Sequence, residues 1–310
     1  MGGNAEPASN QQLDPEIEQL SSELVSGLEW SDLDRRAVDV IRALAMDAVE
    51  KAGSGHPGTA MSLAPAAYLL FQRLMHHDPA EPKWPGRDRF VLSCGHSSLT
   101  LYIQLYLSGY GLTLHDLESL RQWDSLTPGH PEYGHTVGVE TTTGPLGQGI
   151  GNAVGMALGE RHLGAIFNRD GHPVIDHHTY FICSDGDLME GVSHEAASFA
   201  GHFQLGKLIG FYDDNRITID GATDLTYTDD AGKRFEAYGW HVQHVEDVND
   251  LESLDEAIER AKAEIQRPSL IICRTHIGYG SPKQDSEKAH GEALGEDAIR
   301  AAKQFYGYPS

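Results

Sequence analysis

The chain has 310 residues, 40% of them hydrophobic and 22% charged, enough to enclose a substantial α/β core. A formal net charge of -23 repels phosphate backbones and anionic lipid, and no basic cluster offsets it, which argues against nucleic-acid and membrane partners. No apolar run approaches the roughly 18–20 residues that span a bilayer, and the polar, acidic start lacks the marks of a secretory signal, so a cytoplasmic protein is expected.

Residues 1–30 read as a loosely ordered N-terminal extension with one short helical stretch over 15–28. Leu33, Ala37, Val40, Ile41, Leu44 and Val49 then fall at helical spacing. That helix must stop at Gly53-Ser54-Gly55-His56-Pro57-Gly58. A second helix is predicted over 59–75, and a strand over 89–92 leads into Ser93-Cys94-Gly95-His96 and a helix to 107. Residues 124–143, rich in Gly, Pro, His and Thr, predict a long loop, and long loops inside compact domains usually serve function. An Ala/Gly-rich helix follows over 147–163, with a face small enough to pack closely on a neighbour or partner. Strands are predicted over 179–183, 208–212, 240–245 and 269–274, with helices over 185–203 and 251–265. Strands separated by helices imply parallel βαβ units. The expected fold class is therefore α/β, a doubly wound, mostly parallel sheet flanked by helices, as a single domain over 31–310.

In such a sheet ligands bind beyond the carboxyl ends of the strands, near a topological switch point. The loops to read are therefore Ser184-Asp185-Gly186-Asp187 and Asp213-Asp214-Asn215-Arg216-Ile217. Asp185 and Asn215 lie 30 positions apart, one βαβ turn, so both can reach the same sheet edge. A carboxylate, an amide oxygen and a backbone carbonyl are hard ligands suited to Mg²⁺ or Ca²⁺. Gly186 leaves room for a phosphate. Taken singly, Asp-Gly after a strand is also an ordinary turn, and Asp-Asn clusters are common in loops.

Seventeen histidines form a second signal. His56, His96, His130, His135 and His290 stand beside Gly or Pro in loops, a pattern suited to a cluster that handles hydroxyls, carbonyls and phosphates. His76-His77 and His177-His178 read instead as solvated pairs. Ser198 stands where H-E-x-x-H zinc binding would need its second histidine after His194-Glu195. Cys94, Cys183 and Cys273 are too scattered for a disulfide frame and read as buried thiols. A nicotinamide enzyme also fails: Gly147-Gln148-Gly149-Ile150-Gly151-Asn152 does not fit G-x-G-x-x-G, and the Tyr279-to-Lys283 spacing encloses Gly280 and Pro282.

Read together, the loop motifs resemble those of transketolase. The resemblance rests on Ser54-Gly55-His56-Pro57-Gly58, Gly95-His96, Thr127-Pro128-Gly129-His130-Pro131-Glu132 and Gly144-Pro145-Leu146-Gly147-Gln148-Gly149. It continues through Asp185-Gly186-Asp187-Leu188-Met189-Glu190-Gly191, Tyr212-Asp213-Asp214-Asn215-Arg216-Ile217, Ile277-Gly278-Tyr279-Gly280-Ser281-Pro282 and His290-Gly291. It implies a thiamine diphosphate-binding (PP) domain with Mg²⁺ or Ca²⁺, in which Asp185, Asn215 and the carbonyl of Ile217 ligate the metal. By the same resemblance His96, Gly186 and His290 lie by the diphosphate, and Gly144 and Leu146 approach the aminopyrimidine. His56, His130 and His290 face a donor ketose, and Glu190 sits at a subunit interface near the cofactor.

The implied reaction moves a two-carbon ketol unit between sugar phosphates, as in the pentose phosphate pathway. The family's pyrimidine-binding half, with its activating glutamate, has no counterpart among these motifs. The resemblance therefore implies an N-terminal subunit or portion that acts with a C-terminal subunit, as a two-plus-two heterotetramer. The alternatives are a non-catalytic or regulatory thiamine diphosphate-binding homologue and a ketol transferase with another acceptor. Two positions depart from the family pattern. Ser184 replaces a glycine, which is harmless if that residue does not need positive φ, and Glu292-Ala293 follows His290-Gly291 in place of Ala-Pro.

Overall fold

In a computed structural model of the chain, residues 31–308 are described. The extension expected over 1–30, with its helix at 15–28, lies outside the described residues. Helix α1 (Asp32–Ala52) starts at a capping box, in which Ser31 and Asp34 satisfy each other's backbone N–H groups. It ends at Gly53, whose φ of 69° takes the left-handed conformation that closes helices.

The helix expected over 59–75 is three pieces: α2 (Pro57–Ser62), α3 (Ala64–Leu69) and a π turn over Leu70–Leu74. Pro65 is the cause, because it lacks the N–H that a continuous helix needs and instead starts α3. Strand β1 (Arg89–Leu92), a 3₁₀ turn over Gly95–Ser97, α4 (Leu99–Leu107) and the short α5 (Leu114–Glu118) follow. Neither helix nor strand occurs between Glu118 and Gln148, where the long loop was expected. Helix α6 (Gln148–Phe167) runs a turn beyond its predicted end.

Next come β2 (Thr179–Ser184), α7 (Asp185–Met189), α8 (Gly191–His202) and β3 (Leu208–Asp214). The helix expected over 185–203 breaks at Glu190, which is extended at φ -75° and ψ 134°. The hydroxyl of Ser193 donates to the carbonyl of Asp187 there, in place of helix continuation. A small hairpin, β4 (Ile217–Thr218) and β5 (Gly221–Ala222), precedes α9 (Ala231–Ala237), β6 (His241–Val245), α10 (Leu251–Ala263), β7 (Ser269–Arg274) and α11 (Glu296–Phe305).

The sheet is wholly parallel, in the order β1-β2-β3-β7-β6. Alternate residues feed two cores. Leu92, Ile182, Phe211 and Cys273 pack with α1–α4, α10 and α11, whereas Val91, Phe181, Tyr212 and Ile272 pack with α6, α8 and α9. Gly210, opposite Phe181 across the β2–β3 pair, leaves space for that ring: a Cβ there would stand 2.6 Å from its Cε1. Adjacent strands β3 and β7 send the chain to opposite faces, β3 towards α9 and β7 towards α11. A parallel sheet opens a crevice at such a reversal, at its carboxyl edge. All three cysteines are buried and free, as expected, and burial pushes their thiols up. No helix among the described residues is long and apolar enough to cross a membrane.

Candidate functional site

The register Ser184↔Asp213 puts Asp185 and Asn215 at the same carboxyl edge of neighbouring parallel strands. Three buried aspartates meet there, in different circumstances. Asp187 is fully satisfied: Oδ1 accepts from Ser93 Oγ (2.6 Å) and Gly147 N (2.7 Å), and Oδ2 from Ser184 N (2.9 Å) and Ser184 Oγ (3.1 Å). It thereby ties the ends of β1 and β2 to the start of α6. Asp213 accepts from Thr275 Oγ1 on the β7 end and from Asn215 Nδ2 at 2.7 Å. This turns the Asn215 amide so that Oδ1 accepts from Ile217 N at 2.8 Å and keeps a second lone pair.

Asp185 is different. It is 5% exposed, and the one hydrogen bond that steadies its charged form comes from its own backbone. Burial, with the repulsion of Asp213, pushes its carboxyl up to about 7. Burial likewise raises Asp213, to about 6, and Asp187. A cation on Asp185 would relieve this uncompensated charge. Among the described residues no group of three or more His, Cys, Asp or Glu is disposed to hold a metal, but the expected set contains only one such side chain. Ser184 adopts φ -111°, so serine in place of glycine is unstrained and its hydroxyl joins the Asp187 network. A Cβ on Gly186 would lie 2.8 Å from Leu146 Cδ1, so the bare backbone there faces Leu146 closely.

Four of the five loop histidines come together. The rings of His56 and His96 are 4.9 Å apart, those of His56 and His290 5.6 Å, and those of His96 and His290 5.4 Å. His130 lies against Gly144, where a Cβ would be 3.4 Å from its ring. Buried Tyr102 on α4 places that loop by donating its hydroxyl towards the carbonyls of Pro128 (3.0 Å) and His130 (3.1 Å). Gly95, beside His96, packs on Thr143 and Gly144 so closely that a Cβ would stand 2.9 Å from Gly144 N. Gly291 joins the His290 loop to Ile219 in the β4–β5 hairpin and thus to the Asn215 side.

Burial pushes the His56 imidazole down to about 4, helped by His290, Arg121 and His130, and that of His96 down to about 3. His130 and His290 are lowered too, chiefly by burial. These rings are neutral at pH 7. Nδ1 of His56 and of His290 is buried without a hydrogen-bond partner, a costly state unless a ligand supplies one.

Other expectations need correction. His135 is exposed and bonds through Nε2 to the carbonyl of Ser125 at 2.8 Å, so it steadies the long loop and stands outside the cluster. His77 and His177 are not solvated: His77 is held by Tyr110 OH (2.9 Å) and the Phe71 carbonyl (2.8 Å), and His177 is buried at the start of β2. Glu190 is exposed, with its Cβ beside Gly147. Asp187, Asp213, Ser93 and Thr275 were missed as site residues. Only the Ser184-x-x-Asp187 spacing, a capping-box pattern, pointed to one of them.

The family model for "Transketolase, thiamine diphosphate binding domain" matches residues 33–310. A transketolase of Mycobacterium leprae is 58% identical over 284 residues, covering 90% of this chain and 41% of that protein. One of Halalkalibacterium halodurans is 55% identical over 275 residues, covering 88% and 41%. Among solved structures, Pichia stipitis transketolase in complex with sedoheptulose 7-phosphate superposes with a TM-score of 0.88 at 48% identity, covering 90% of this chain and 41% of that one. Leishmania mexicana transketolase gives 0.88 at 48%, covering 90% and 42%. The chain thus spans about two fifths of the length of the relatives it matches. With a family match that runs through both sheet cores and every loop of the site, the chain belongs to the transketolase thiamine diphosphate-binding domain family.

Proposed function

We propose that this chain is the diphosphate-binding portion of a transketolase, which transfers a two-carbon ketol unit between sugar phosphates together with a C-terminal portion, as a two-plus-two assembly. The observation that carries the reading is the contrast at the sheet edge: Asp187 and Asp213 have their hydrogen bonds, while Asp185 is buried and unneutralised beside Asn215. That donor set fits Mg²⁺ or Ca²⁺ bound jointly by protein and diphosphate oxygens. Asp185, Asn215 Oδ1 and the Ile217 carbonyl would hold the metal. His96, Gly186 and His290 would lie by the diphosphate, and Gly144 and Leu146 by the aminopyrimidine. Thiamine diphosphate, when bound, supplies the nucleophilic carbon and the electron sink.

The chain's own residues position the sugar and handle its protons. His56, His130 and His290, held neutral, orient the ketose carbonyl and hydroxyls. The unpartnered Nδ1 atoms of His56 and His290 can each accept or donate one hydrogen bond, according to the ring's tautomer, while the imidazole stays neutral. Glu190, exposed beside Gly147, meets the second portion. The relatives' additional length motivates the partner requirement.

The test is a ketol-transfer assay with thiamine diphosphate and Mg²⁺, on the chain alone and with a C-terminal portion supplied in trans, beside calorimetry of cofactor binding to the assembly. Transfer by the mixture only is expected, and Asp185→Ala is expected to lose Mg²⁺-dependent binding with an unchanged circular dichroism spectrum. Transfer by the chain alone would refute the partner requirement, and unaltered affinity in the variant would refute the metal assignment.

A further inference from the structure

An asparagine amide carries an oxygen at one end and an NH₂ group of nearly the same shape at the other, and only the oxygen can face a cation. Which end of Asn215 is turned to the sheet edge therefore depends on what holds the opposite end. Asn215 is buried; its Nδ2 donates to Asp213 Oδ2 at 2.7 Å, while its Oδ1 accepts from Ile217 N at 2.8 Å. Asp213, as a carboxylate, only accepts, so it selects the NH₂ end.

Asp213 must itself be held. A carboxylate can turn about its Cβ–Cγ bond, and a turn would withdraw Oδ2 from the amide. Its other oxygen, Oδ1, takes the one proton of the Thr275 hydroxyl. Thr275 is completely buried and directly follows β7. The two strand tips it joins are fixed to each other. Asp213 pairs with Cys273 and Asp214 with Arg274 in the β3–β7 register, and Thr275 N donates to the Asp214 carbonyl at 3.3 Å. Nη1 of Arg274 donates to the carbonyls of Asp214 and Thr275, each at 2.7 Å. Packing alone would be served by valine, which has the same shape without the hydroxyl, beside buried Cys273 and Ile277. A buried hydroxyl and carboxylate are less favourable than an apolar pair of like shape, so their presence fits a task, and the group at the end of this series of bonds is Asn215 Oδ1.

We propose that Thr275 is a positioning residue of the cation half-site: its hydroxyl fixes the Asp213 carboxylate, the carboxylate fixes the Asn215 amide, and the amide oxygen is thereby held ready for the cation beside Asp185. Thr275 acts only through Asp213, in the way that outer hydrogen-bond partners orient the ligands of a metal. It brings a third strand into the site, since Asp185 follows β2, Asn215 follows β3 and Thr275 follows β7. The inference rests on the functional reading above and deepens it, by naming what orients one of the proposed metal ligands.

Two measurements test it, on the wild type, Thr275→Ser, Thr275→Val and Thr275→Ala. In the chain alone, the side-chain amide signals of Asn215 are followed by NMR. Where the hydroxyl is kept, in the wild type and Thr275→Ser, the two Nδ2 protons are expected to be well separated and slow to exchange with solvent. In Thr275→Val and Thr275→Ala they are expected to draw together and exchange faster. In the assembly with the C-terminal portion and thiamine diphosphate, Mg²⁺ binding is measured by calorimetry. Affinity is expected to fall about tenfold in Thr275→Val and Thr275→Ala and to stay near the wild-type value in Thr275→Ser. Urea unfolding of the same proteins separates this from a general loss of stability, which moves the midpoint and leaves the affinity of the folded protein as it was. If Thr275→Val does not fold, Thr275→Ala carries the test. Asn215 signals indifferent to the hydroxyl, an unchanged Mg²⁺ affinity without it, or an equal loss in Thr275→Ser would overturn the proposal. A wild-type assembly that takes up no Mg²⁺ with thiamine diphosphate would overturn the functional reading instead, and the amide signals of the chain alone would still decide whether Thr275 orients Asn215.

Discussion

Asp187 allows the sharpest test of how the site is built. Its two oxygens accept four hydrogen bonds, two of them from the backbone N–H groups of Gly147 and Ser184, and its surroundings are fully buried. Asp187→Ala strands both N–H groups and two hydroxyls. The hydroxyls can rotate towards other acceptors, but the N–H groups cannot move. Each stranded buried donor costs about 1–3 kcal/mol, and removing a desolvated carboxylate returns part of the sum. A net loss of about 3 kcal/mol follows, a large share of the roughly 5–15 kcal/mol by which a domain is stable.

Asp187→Asn is the discriminating control. Its carbonyl oxygen can keep the pair of bonds to Ser93 and Gly147, and the Ser184 hydroxyl can turn to accept from the new NH₂. Only Ser184 N is left facing a donor, so the loss is about 1–2 kcal/mol. Urea unfolding of the chain at pH 7, followed by circular dichroism and tryptophan fluorescence together, measures both variants. The midpoint should shift at constant slope, in the order wild type, Asn, Ala. If alanine cost less than about 1 kcal/mol, or no more than asparagine, the network would not be what holds β1, β2 and α6 in register.

Two further outcomes follow from the same geometry. Gly58→Ala places a Cβ on the Ala289 carbonyl oxygen and 2.6 Å from Ile277 Cγ1, so the His290 loop must move; a loss of about 2 kcal/mol in urea unfolding and altered His290 ring signals in NMR are expected. For His96, whose folded pKa of about 3 lies below the ordinary 6.5, the unfolded chain carries the extra proton between those values. The wild type therefore loses stability as pH falls from 6.5 towards 3, and His96→Gln should gain on it by about 1.4 kcal/mol per pH unit over that window. A pH-independent difference between the two proteins would mean that the ring is protonated in the fold.

The strands were readable because buried parallel strands are apolar runs between turn residues, and 89–92 and 269–274 fall where expected. From parallel order alone it followed that Asp185 and Asn215 share an edge, and register bears this out. Short, polar helices were not readable: α9 and α11 bury only a few side chains each and carry charge throughout. Breaks at Pro65 and Glu190 were missed because apolar periodicity continues across them. Among the site residues, type and loop position picked out His56, His96, His130 and His290, but the same criteria admitted His135, whose ring turns to Ser125. Sequence supplies the donor and acceptor groups of an aspartate but not their directions. The resemblance points to Asp185 for the metal, but what separates it from Asp187 and Asp213, which brace the site, is seen only in the directions of their hydrogen bonds.

That distinction carries the chemistry. A carboxyl edge crowded with Asp185, Asp187, Asp213 and Asp214 is unfavourable unless each charge has a fate. Asp187 uses its charge to bind three segments together, and Asp213 to turn one amide. Neither can be given to a ligand without unmaking the loops that would receive it. Asp185 does no such structural work, and Nδ1 of His56 and of His290 in the pocket are likewise left without partners. Unsatisfied groups so concentrated, on loops held by two closed cores, are the expense a fold accepts for a bound charge and a polar guest. Where a protein's hydrogen bonds stop is therefore the place to look for what it binds.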